Sequence, residues 1–118
     1  MIHIEAVLEE DGTLISCKAE GHAGAGKTGS DIVCASVSVL MNTAYAVLSG
    51  REGITVSGMD ETAPEKKPKT GFMRLEVKYK AEGKQFLFAV GMFLINGLSS
   101  VAAEYPNNCR ITIKNACF

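Results

Sequence analysis

The chain has 118 residues, 47% of them hydrophobic, and a formal charge of −1. That is enough apolar material for a packed core in one domain spanning residues 1–118, and it argues against a disordered chain. The near-zero charge, with no long basic run, excludes the electrostatic footprint of a nucleic-acid binder.

Residues 2–8 alternate. Ile2, Ile4, Ala6 and Leu8 share one face, and His3 and Glu5 the other. Period two predicts a half-buried strand. This N-terminus has no basic segment followed by an apolar one, so it is not read as a secretory signal. Glu9-Glu10-Asp11-Gly12 is a turn signal, and Thr13–Glu20 alternates again, with Ile15, Cys17 and Ala19 on one side. The first two strands are therefore expected to form an antiparallel hairpin.

Residues 21–30 hold four of the twelve glycines and are read as a loop. A helix is expected from about Ser30, with Val33, Val37, Leu40, Ala44 and Val47 as its apolar stripe. Ser30 or Asp31 suits the N-cap and Gly50 the end. Ile54–Met59 reads as a strand, residues 61–70 as a polar loop, and Phe72–Tyr79 as a strand. A second helix is expected over Lys84–Glu104, stopped by Pro106. Its apolar run, Phe86–Ile95, falls short of the roughly 20 residues that span a bilayer, so no membrane role is expected. The run also suggests a face that meets another copy of the chain. Arg110–Lys114 reads as a final strand. The order ββαββαβ predicts an α+β two-layer sandwich, a mixed sheet carrying two helices.

Gly21-His22-Ala23-Gly24-Ala25-Gly26-Lys27-Thr28 satisfies the phosphate-loop pattern G-x-x-x-x-G-K-[ST]. The context disfavours it. Such a strand lies in a parallel sheet, buried on both faces, and reads as a continuous apolar run. Here the preceding strand alternates and is paired in a hairpin, and Gly29 follows at once where a helix should continue.

A thiol site uses the same segment differently. Cys34 falls near the first turn of the expected helix, where unpaired N–H groups and the positive end of the helix dipole favour a thiolate. A thiolate needs a proton partner, and His22 lies at the mouth of the glycine loop. The glycines let backbone pass close to a bound peptide. N–H groups at the helix start are placed to hold an oxyanion. Asp31 is either the helix cap or a carboxylate near the imidazole, and Ser38 lies one turn beyond Cys34. The four cysteines, at 17, 34, 109 and 117, form no C-x-x-C pair, so neither a metal site nor any other cofactor is expected. In a reducing compartment all four are expected to be free thiols.

Gly21-His22-Ala23, Gly29, Asp31-Ile32-Val33-Cys34-Ala35 and Ser38 resemble the signature of the ribosomal-processing cysteine protease family. Asn96-Gly97-Leu98 followed by Glu104-Tyr105-Pro106, and the order of elements, fit it too. The resemblance implies a bacterial cytoplasmic endopeptidase that works as a homodimer. Its substrate would be a large-subunit ribosomal protein carrying a short N-terminal extension, cut after a hydrophobic motif. It further implies His22 and Cys34 as the catalytic pair, with Gly21, Ala23, Gly29, Asp31 and Ser38 supporting or binding substrate. The rival reading is a non-catalytic dimeric module that binds ribosomal protein or the ribosome surface without cutting.

Overall fold

The computed structural model describes residues 1–21, 30–58 and 71–116. Five strands form one mixed sheet: β1 (Ile2–Leu8), β2 (Leu14–Gly21), β3 (Ile54–Ser57), β4 (Gly71–Tyr79) and β5 (Cys109–Asn115). Two helices, α1 (Ser30–Leu48) and α2 (Lys84–Glu104), pack on it. The ββαββαβ order is that expected from the sequence. The sheet order is β3-β4-β2-β1-β5. β1 is antiparallel to β2 and parallel to β5, while β4 is antiparallel to both β2 and β3.

Period two holds along β1, whose Ile2, Ile4 and Ala6 are buried. In β2 the inward set is Leu14, Cys17 and Ala19 rather than one that starts at Ile15. The register shifts where Val7 faces Ser16 but Leu8 faces Leu14, so a bulge at Ile15 adds one residue and turns Leu14 inward. α1 shows a similar correction. Its buried stripe is Val33, Val37, Met41, Ala44 and Leu48, while Val47 is exposed. The expected and buried stripes share Val33, Val37 and Ala44 and differ by one position at two turns, where Met41 and Leu48 point inward in place of Leu40 and Val47.

α1 lies over β3 and β4, and α2 over β2 and β5. α2 buries Leu87, Gly91, Leu94 and Leu98. At Gly91 a Cβ would stand 2.9 Å from the Leu14 Cβ, so glycine there lets α2 sit close on β2. The stretch Ala81–Glu104, α2 with the 3₁₀ turn before it, is long and apolar enough by length and composition to cross a bilayer. The shorter run picked from the sequence understated this, because the small residues beyond Ile95 also lack charge. Only 22% of the apolar window in this stretch is buried, the buried face being the one packed on the sheet.

At the sheet end away from Gly21, a polar cluster ties the β1–β2 turn to α2. Thr13 is fully buried, and both its N–H and its hydroxyl donate to Asp11 Oδ1, at 3.0 and 2.7 Å. Lys84 Nζ lies 2.7 Å from Asp11 Oδ2, and the Tyr79 hydroxyl donates to Glu9. The Lys84 ammonium first, then Thr13, holds the Asp11 carboxyl well below its ordinary value of 3.8. A depressed carboxylate contributes stability that is complete above the unfolded value and lost as pH falls. Thermal melts of the wild type and Asp11→Asn are therefore expected to differ at neutral pH. The gap should narrow as the pH drops from about 4 to about 2.

Candidate active site

Cys34 sits one turn into α1 and its side chain is exposed. It borders a slot of about 140 Å³ between the start of α1 and the inner face of the sheet. Helix residues Cys34, Val37 and Ser38 form one wall, and Ile2, Ala19, Glu20, Gly21 and Met73 from β1, β2 and β4 form the other. The structure thus brings together three residues expected at a site: Gly21, Cys34 and Ser38. Asp31 is the second residue of α1, and whether it caps the helix or assists the imidazole rests on a side chain outside what is described. His22, Ala23 and Gly29 also lie outside the described residues, His22 being the residue directly after the end of β2.

Gly21 has a backbone reason to be glycine. It is pinned between Ile2 on β1 and Gly71 on β4, with φ at +115°. A Cβ there would fall 2.4 Å from the Met1 carbonyl oxygen. Sequence reasoning missed Ile2, Ala19, Val37 and Met73 because only the folded sheet assembles them. A faint signal was available in β2, whose inward residues nearest the motif are the small Ala19 and Gly21.

The other described cysteines differ in kind. Cys17 is fully buried, and burial pushes its thiol up to about 12. Cys109 is also buried, and its thiol is raised for the same reason. Cys17, Cys34 and Cys109 are all free, and Cys117 lies outside the described residues. Iodoacetamide at neutral pH is therefore expected to modify Cys34 at least about tenfold faster than Cys17 or Cys109, because access and thiolate character both govern alkylation. Peptide mapping over a time course checks this.

The phosphate-loop reading fails on topology. β2 has antiparallel neighbours on both sides, whereas that motif follows a strand of a parallel sheet.

An exposed thiol near the start of a helix opens onto a slot at a sheet end, the kind of placement a cysteine hydrolase uses. Comparison with known proteins narrows the class. The chain belongs to the family described as cysteine protease Prp, whose model matches residues 1–110, and it is a cysteine protease. SMU.848 from Streptococcus mutans is 29% identical, with a TM-score of 0.73 over 98% of this chain and 96% of that one. The essential ribosomal processing protease Prp from S. aureus has been solved twice with peptide. With a substrate peptide it is 18% identical, with a TM-score of 0.74 over 97% of this chain and all of that one. With a covalently linked product peptide the values are 20% and 0.75 over the same shares. No curated protein matches the chain.

Proposed function

We propose that this protein is a cysteine endopeptidase that removes the short N-terminal extension of a large-subunit ribosomal protein during ribosome assembly. The observation that carries the reading is the placement of an exposed Cys34 at the start of α1 beside Gly21 and Ser38, in a chain of this family. The S. aureus protein's capture with substrate and product peptides supports it.

Cys34 Sγ attacks the scissile carbonyl carbon, and backbone N–H groups at the helix start hold the resulting oxyanion. His22 takes the thiol proton and returns it to the leaving amine as the C–N bond breaks. Water, with His22 again as base, then cleaves the thioester to release the acid and restore the thiol. In this reading Gly21, Ala23 and Gly29 serve substrate binding. Asp31 either caps α1 or assists the imidazole, and Ser38, one turn beyond Cys34, supports the site. Incubating the purified protein with an N-terminally extended ribosomal protein tests this, with intact-mass analysis as the readout. A single new N-terminus after an apolar motif is the expected result, and an unaltered substrate would refute it.

The same reading includes a cytoplasmic homodimer. It is supported by the outer helical face, where Val39 is 62% and Phe93 75% exposed beside an apolar cleft of about 480 Å³. A soluble domain seldom leaves so large an apolar patch bare. Sedimentation equilibrium is expected to give twice the 12.6 kDa chain mass. Phe93→Glu should shift it to monomer, since a charge would enter an apolar interface.

A further inference from the structure

Three rows of paired residues cross the sheet near Cys34. The first runs Cys109, Ile2, Gly21 and Gly71; the second Ile111, Ile4, Ala19 and Met73; the third Ile113, Ala6, Cys17 and Leu75. β2 supplies its smallest side chains in the two rows nearest the nucleophile, between the larger Ile2 and Ile4 of β1 and Met73 of β4. Gly21 is small for a backbone reason. Ala19 has no such reason: it sits in regular antiparallel pairing, with no positive φ, and is 4% exposed. A larger residue at 19 would fill the gap that α1 roofs with Cys34, Val37 and Ser38. Instead the gap stands open as the slot.

Its size and lining suit one apolar side chain. Among the described residues, the walls other than Ser38, Glu20 and the thiol are aliphatic, thioether or glycine. An enclosed apolar cavity of about 150 Å³ takes up a benzene-sized group, and this open slot has similar room, about 140 Å³. The carbon attacked by Cys34 belongs to the residue before the scissile bond, so that residue's side chain is the one anchored nearest the sulfur.

We propose that Ala19 and Met73 set the size of the side chain that the enzyme accepts immediately before the scissile bond, Ala19 as the floor of the slot and Met73 as its adjustable wall. Met suits that wall, because an unbranched thioether repacks around different shapes. The inference rests on the protease reading and adds to it the residues that fix specificity.

The test is a peptide series with Ala, Leu, Phe or Trp before the scissile bond and all else constant. It is run with wild type, Ala19→Leu and Met73→Ala, with circular dichroism to confirm each fold. Ratios of kcat/KM between peptides are read, because a loss of folded protein lowers all rates together and leaves the ratios alone. Ala19→Leu should move the Ala-to-Phe preference toward Ala by about tenfold or more, the scale of methylene-sized misfits in an apolar pocket. Met73→Ala should move preference the opposite way, toward Trp, by a similar factor. If Ala19→Leu does not fold, the Met73→Ala ratio decides alone. Unchanged ratios overturn the assignment, as does a change that follows the residue after the scissile bond instead. Failure of wild type to cut any peptide is a different result, which removes the protease reading itself.

Discussion

Cys34→Ala is expected to leave no cleavage above background, a fall on the order of 10⁴ or more in kcat/KM, since removing the nucleophile of a catalytic group removes the covalent route altogether. Cys34→Ser should be nearly as inactive, because an alcohol is far harder to ionise and a weaker nucleophile. The thiol is exposed, so both variants should keep the wild-type melting temperature to within the small change usual for surface positions. That separation gives the prediction its force. An inactive but equally stable Cys34→Ala places the sulfur in the chemistry. Full cleavage by the same variant would refute the mechanism and favour the non-catalytic binding module. Mass spectrometry of the extended substrate over time measures the first quantity, and a thermal melt the second.

Gly21→Ala is expected to damage stability and activity together. The backbone there holds φ at +115°, which an L side chain adopts only with strain of about 1–3 kcal/mol. The added Cβ would also lie 2.4 Å from the Met1 carbonyl oxygen and 3.5 Å from the Ile2 Cα, so backbone, not a flexible side-chain tip, must move. We expect a total loss of about 2–4 kcal/mol, seen as a lower denaturation midpoint at unchanged slope. β1 and β2 would separate at the slot wall that faces Cys34, and His22 is the next residue along the chain. A displacement of about 1 Å in such a wall costs around a hundredfold in rate. Unchanged midpoint and rate would mean that the strand end relaxes freely, and would remove Gly21 from any positioning role.

Much of this architecture was legible in the residues, for reasons that are local. Alternation marks Ile2–Leu8 and Phe72–Tyr79, and Pro106 stops α2 near the observed end at Glu104. The misreadings have local causes too. A bulge at Ile15 breaks the phase of β2, and on α1 two turns of the stripe lie one residue further along than read, with Met41 and Leu48 inside and Val47 outside. The β3 strand is shorter than expected, ending at Ser57 before Gly58 turns at φ +82°. Strand order was not legible, because the pairing of β1 with β5 joins residues about a hundred positions apart and leaves no periodic trace. The site divides in the same way. Cys34, Gly21 and Ser38 belong to one contiguous motif and were found by it. Met73 and Ile2 reach the slot only through sheet pairing, and nothing in their own neighbourhoods marks them.

The parallel pairing of β1 with β5 also bears on how the chain matures. β1 is made well before its second partner, which comes at residues 109–115. Throughout synthesis one side of β1 therefore has its ladder groups open, an invitation to pair with another nascent chain. Closing that seam requires a long chain loop to be drawn together, a slow kind of step in folding. Chaperone demand, and the yield of truncated forms lacking β5, should thus be set by this last docking event more than by anything at the thiol.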